Sequence, residues 1–168
     1  PEALAERVKE DLWKLIDEAF PANEVPDALA QERMRHEAFA ASRLGLYIGG
    51  ERYFEALDTA MVEEPCKPVL VCGASGGGKS ALLANWAQKF SSAHPEAIVL
   101  THFLGTGADA AHPVNMAIRL LREMARITGE EFVLEGDPRK ALRMLGEWFE
   151  KAGAFARERG GVFVLVLD

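Results

Sequence analysis

Sulfur is scarce in this chain, and basic residues are outnumbered. Its 168 residues include two cysteines, Cys66 and Cys72, too few and too close together for a disulfide framework, so a reducing compartment is expected. Lysine and arginine total 19 against 26 aspartates and glutamates, and the resulting formal charge of −7 argues against a general nucleic-acid-binding surface, though not against a local basic patch. No apolar run approaches the roughly 20 residues that a membrane-spanning helix needs, and no membrane partner is expected. Nothing in the sequence resembles a signal peptide, and with a reducing compartment expected from the cysteines, the expected location is cytoplasmic. Apolar residues make up 49%, which is the composition of a folded, globular chain rather than a disordered one.

Glycine is concentrated in one place. Gly73-Ala74-Ser75-Gly76-Gly77-Gly78-Lys79-Ser80 reads G-x-x-x-x-G-K-S, the phosphate-binding loop pattern. The apolar run Pro68 to Cys72 predicts a buried strand entering the loop. Leaving it, Leu82, Leu83, Trp86, Ala87 and Phe90 fall at the spacing of an amphipathic helix. The residue types suit a polyphosphate: glycines let consecutive backbone N–H groups approach an anion, and the helix start adds unpaired donors and the positive end of its dipole. On this reading Gly73, Ala74, Ser75, Gly76, Gly77, Gly78, Lys79, Ser80 and Ala81 bind the phosphates of ATP or ADP. Lys79 bridges the β- and γ-phosphates, and the Ser80 hydroxyl ligates Mg²⁺.

The chain ahead of the loop reads as helical. Leu4, Val8, Leu12, Leu15, Ile16 and Phe20 form one apolar face, which the proline-containing stretch to Asp27 ends. Asp27 then caps a weakly amphipathic helix over about 28–43, where His36 reads as a solvated or packing residue. Around Ile48 and Gly49 a short extended piece meets a glycine pair. It is either a plain turn or an entry loop beside an adenine ring, and the residues leave both open. The polar connector 63–68 divides the chain into a helical lead-in, 1–62, and a nucleotide-binding core, 63–168.

Beyond the loop, Ile98 to Leu104 predicts a second buried strand, interrupted by His102, which reads as a hydrogen-bonded core residue. Pro113 opens a helix that ends at Gly129, and Asp137-Pro138 opens another with a regular apolar face through Trp148 and Phe149. Arg119, Arg122, Arg126, Arg139 and Arg143 alternate with these stripes and read as solvated. The run Val162 to Leu167 ending in Asp168 is the Walker B pattern, an apolar strand that delivers a carboxylate to Mg²⁺.

With these stretches placed, the chain resembles the NACHT and related STAND class of P-loop NTPases, in particular the nephrocystin-like branch. The likeness is carried by Asp11-Leu12-Trp13 with Phe20-Pro21, by His36 to Arg43, by Gly73 to Trp86 and by Thr101 to Gly105. Tyr47-Ile48-Gly49-Gly50-Glu51 is similar to that family's adenine-side box, with Gly50 where arginine is common. The resemblance implies an α/β fold, a three-layer parallel sheet of order 5-1-4-3-2 with helices on both faces, here its N-terminal part preceded by the helical segment. It implies Lys79 and Asp168 as the catalytic pair, Ser80 and Asp168 as the metal residues, and TPR or WD-type repeats or self-association as partners. The expected function is an ATP-dependent conformational switch with slow hydrolysis, and little or no turnover by this stretch alone. Two other readings stand beside it: a small-molecule kinase built on the same loop, and a binding-only scaffold with a structural nucleotide site.

Overall fold

The computed structural model describes residues 2–19, 26–45, 49–62 and 67–168. The chain divides into two compact units, Pro1–Glu32 and Arg33–Asp168. In the first, helix α1 (Glu2–Ala19) forms where the apolar stripe predicts it. Helix α2 (Ala28–Leu44) begins at Asp27, whose side-chain carboxylate accepts the Ala30 N–H at 2.7 Å and so satisfies one of the orphan donors of a helix start.

The second unit is built around two parallel strands, β1 (Ile98–His102) and β2 (Phe163–Leu167), paired Ile98 to Phe163 through His102 to Leu167. The ladder continues past both ends: Ile98 donates to Val162, Asp168 to His102 and Leu104 to Asp168. A parallel pair needs a long crossover, and here it carries the short helix α5 (Ala108–Ala111), α6 (Pro113–Thr128) and α7 (Lys140–Glu158). Pro113 suits the first turn of α6. Gly129 closes that helix with φ 74°, a left-handed conformation that glycine adopts without Cβ strain, and its N–H returns to the Ala125 carbonyl.

Alternation along the strands sorts the core into two clusters. Leu100, with Phe163 and Leu165, meets Leu121, Met124, Ala141 and Trp148 of α6 and α7. On the opposite face Val99, Val164 and Val166 meet Trp86, Ala87 and Phe90 of α4 (Lys79–Ala93) and Leu57 of α3 (Glu51–Val62). The Trp86 indole N–H donates to Asp58 at 2.8 Å, so a large ring is buried without orphaning its polar atom.

The expected three-layer parallel sheet is not what forms. The described residues are mostly helical and hold one sheet of two strands. Pro68 to Cys72, predicted as the strand entering the loop, pairs with nothing in that sheet; Leu70 is 85% exposed and Val69 47%. Apolar composition favours a strand only when a neighbouring backbone completes its ladder, and among the described residues no strand pairs with this run. Cys72 is accordingly an exposed free thiol rather than a buried core residue. The strand predicted to reach Leu104 stops at His102, where a 3-10 turn over Leu104–Thr106 takes over.

Gly161 carries a test of this packing. A methyl group on it would fall on the Glu96 carbonyl oxygen, where the chain enters β1, whereas Gly146 in the middle of α7 faces open space. Gly161→Ala is expected to lose about 1–3 kcal/mol in urea denaturation, while Gly146→Ala gains up to about 1 kcal/mol from helix propensity. Equal effects at the two positions would show that the Glu96–Gly161 approach is not close in solution.

Candidate functional site

The glycine-rich loop folds as a tight turn in front of α4. Gly76 and Gly78 take φ of 74° and 80°, values open to glycine but strained for other residues, and the Gly77 N–H closes the turn on the Ala74 carbonyl at 3.1 Å. Gly78 occupies the N-cap of α4 with no side chain capping it, so the first N–H groups of that helix keep no side-chain acceptor. The Lys79 ammonium folds back over the loop and donates to the carbonyls of Gly73 and Ala74, at 3.0 and 2.9 Å. A cation is thus held beside a helix start whose backbone donors no side chain caps, an arrangement suited to an anion.

Gly73, Ala74, Gly77, Gly78 and Lys79 all line one cavity of about 430 Å³, whose remaining wall is apolar and includes Tyr53, Leu57, Leu70 and Leu82. Ser75 and Gly76 form the exposed tip of the turn, and Ser80 and Ala81 the half-buried first turn of α4. Gly49, with φ 79°, is exposed and does not line this cavity, and Ile48 lies outside the described residues. Asp168 is fixed at the end of β2 by backbone hydrogen bonds to His102 and Leu104. Among the described residues no hydrogen bond joins Asp168 to the loop or to Ser80.

A second polar cluster, not assembled by the sequence reading, lies in the interior. His36, His102, Arg119 and Glu123 are all at least 96% buried by relative exposures of 4, 1, 4 and 1%. Glu123 on α6 is clamped by two guanidinium groups, Arg33 of α2 and Arg126 of α6, each at 2.9 Å. The His36 Nδ1 accepts the Phe103 backbone N–H at 3.0 Å, so α2 seals the end of β1. His102 donates from Nε2 to the Ala110 carbonyl at 2.9 Å, which leaves Nδ1 to accept from Arg119 at 3.2 Å. Arg119 also donates to the Thr101 carbonyl at 3.1 Å.

Both imidazoles are held neutral. Burial, then the nearby Arg119 charge and His102, push His36 down to about 3. Burial lowers His102 as well; its bond to Ala110 works against this, and Arg119 adds to the lowering. His102 is the hydrogen-bonded core residue its strand position predicts. Arg119 is not the solvated residue expected of it, because position 119 falls beside Leu120 on the inward stripe of α6, whereas Arg122, Arg126, Arg139 and Arg143 are exposed as predicted. A sequence signal did exist: Arg119, Glu123 and Arg126 stand at i, i+4 and i+7, one face of a helix. The partners supplied by α2 and β1 carried none. Chemically this seam orients and secures: the hydrogen bonds of His36, His102, Arg119 and Glu123 tie α2, β1 and α6 together.

Several curated proteins are similar to this chain. Nephrocystin-3 of Mus musculus is 30% identical over 158 residues, covering 92% of this chain and 11% of the relative. A TPR repeat-containing protein of Dictyostelium discoideum is 28% identical over 151 residues, 74% of the chain and 9% of the relative. Tetratricopeptide repeat protein 41 of Rattus norvegicus is 22% identical over 153 residues, 72% of the chain and 12% of the relative. The chain therefore spans about a tenth of the length of these relatives. No family model matches it, and no solved structure does. These findings correct the expectation of a NACHT/STAND-class NTPase with Walker A and Walker B function and a hydrolysing switch. The matched proteins are named as nephrocystin-3 and for TPR repeats, and the described residues are mostly helical, with a two-stranded sheet in place of a P-loop NTPase core.

The Glu123 clamp yields a stability test. Glu123→Gln keeps the side-chain volume but leaves two guanidinium groups facing a neutral amide in a buried joint. A loss of about 1.5–3 kcal/mol in urea denaturation is expected. A change below about 0.5 kcal/mol, the range of ordinary surface substitutions, would mean that the clamp does not hold α2 to α6.

Proposed function

We propose that this chain is a protein-interaction module of a scaffold. The observation that carries the reading is α1, whose apolar face is presented to solvent: Leu12 is 53% and Leu15 61% exposed, with Val8 and Ile16 beside them. A helix that leaves such a stripe uncovered loses the burial that ordinarily stabilises it, roughly 1.5–3 kcal/mol per large side chain, and a protein partner restores it. Two of the relatives are named for TPR repeats, units whose helices cover one another's apolar faces, which supports a helical partner. That partner is a helical repeat or a second copy of the chain. No described helix is long and apolar enough to cross a membrane, and the free Cys72 thiol fits a reducing cytoplasm. Sedimentation over a wide concentration range tests the self-association form. The wild type is expected to associate through α1, and the double variant Leu12→Glu with Leu15→Glu to remain monomeric at unchanged helix content. A wild type that is monomeric throughout would sink that form of the proposal.

A second proposal concerns the loop. We infer that Gly73–Ala81 holds the phosphates of ATP or ADP as a structural ligand of the scaffold, with Ser80 and Asp168 on the side of Mg²⁺; turnover is no part of this reading. It rests on the Lys79 ammonium set over glycine-lined backbone at the uncapped start of α4. Bound phosphate would take over the ammonium from the two carbonyls. Removing one charge-assisted contact of this kind costs about 1.5–3 kcal/mol, so calorimetric titration with ATP is expected to show a ten- to hundredfold weaker affinity in Lys79→Ala. Equal affinities, or no heat with either protein, would remove the nucleotide from the scaffold.

A further inference from the structure

We propose that His36 is the acid-sensitive pin of a latch that holds residues 33–44 of α2 against the end of β1, and that protonating it lets this segment lift away. The argument starts from hydrogen-bond polarity. His36 Nδ1 is an acceptor facing a fixed donor, the Phe103 N–H at 3.0 Å. A proton on that nitrogen sets donor against donor, and no rotation of a backbone amide can relieve the conflict.

The surroundings offer the new charge nothing. From β1, the His102 ring lies 4.5 Å away, centroid to centroid. From α6, Arg119 contributes a second positive charge, and its influence on His36 is repulsive. Glu123, the one carboxylate in the joint, is already engaged by Arg33 and Arg126. On α2 itself the neighbouring Glu37 is exposed to water. An imidazolium at this place is therefore buried beside the Arg119 cation with no unengaged carboxylate to answer it, and the cheapest relief is for α2 to carry it out to solvent.

The seat it leaves is well defined. Phe103 is fully buried, Phe39 of α2 stacks on it at 5.1 Å, and a methyl group at Gly105 would press on the Phe39 ring at 3.1 Å. Opening bares Phe103 and its N–H on the outer side of β1, while the ladder between β1 and β2 stays closed. The neutral form of His36 is the one the closed state favours. Its contribution is thus complete above the ordinary histidine value near 6.5 and is lost as pH falls toward about 3. Within that window the open population rises about tenfold per pH unit, the signature of one proton.

Amide hydrogen exchange of the whole 168-residue chain, corrected for intrinsic rates, reads this directly. Protection at Phe103 is expected to fall about tenfold per unit below pH 6.5, with protection at Ile98 and His102 inside the ladder unchanged. His36→Asn keeps an acceptor at the Nδ1 position but cannot be protonated there, so it should retain Phe103 protection and lose the slope. Should that variant fold poorly, the wild-type His36 ring signals serve instead, and they must titrate together with Phe103 exposure. A flat Phe103 profile, an unchanged slope in His36→Asn, or parallel loss at Ile98 and His102 would each overturn the latch. The outcome is independent of whether α1 has a partner.

Discussion

One carboxylate sets the terms for the second unit. Glu123 is 1% exposed, and an ionised carboxylate in that position is tolerable only if its charge is answered on the spot. Arg126, one turn on, supplies one answer from the same helix; Arg33, 90 residues away, supplies the other. The second bond makes the position of α2 a condition of burying α6. With α2 seated, His36 meets the Phe103 N–H and Phe39 meets the Phe103 ring, so the end of β1 is closed by the same segment. Exchanging the pair for apolar side chains of similar volume need not destabilise the chain, but it would release the geometry that fixes where α2 lies.

The elements were largely legible in the residues. Apolar stripes at helical spacing place α1, α4, α6 and α7 close to their observed bounds, and Asp27, Pro113 and Gly129 mark the ends they were expected to mark. Both strands lie within continuous apolar runs. The failure at Pro68–Cys72 shows the limit of such reasoning. That run is as apolar as β2, yet a strand is a relation between two backbones, and composition describes only one of them. The interior polar joint was illegible for the same reason: Arg33 to Glu123 and His36 to Phe103 span 90 and 67 positions, separations that no local period reports.

The glycine-rich loop gives the same lesson in another form. Its pattern specifies a local object, and that object is present: positive-φ glycines, a closed turn, an ammonium folded onto carbonyls, and a helix start without a cap. The pattern specifies nothing about the sheet behind it or the reaction in front of it. The step from loop to NTPase rested on a strand that pairs with nothing in the described sheet and on a family resemblance that the relatives named for TPR repeats do not support. On the structural-ligand reading proposed for it, the loop is a binding device, and binding without turnover is compatible with a scaffold.

The two polar regions of the second unit also differ in what they expose to change. At the loop, the described hydrogen bonds of the lysine run to carbonyl oxygens of its own turn, an exposed set of contacts open to competition from solvent. At the joint, the Glu123 carboxylate and the two imidazoles are buried, while Arg33 and Arg126 reach in from partly exposed positions. A proton is small enough to reach those buried groups without the joint first opening. His36 is where its arrival reverses a hydrogen bond that holds α2 to β1. A fold that buries a carboxylate between two arginines, and an imidazole against a third, has concentrated its response to pH at the edge of its only described sheet.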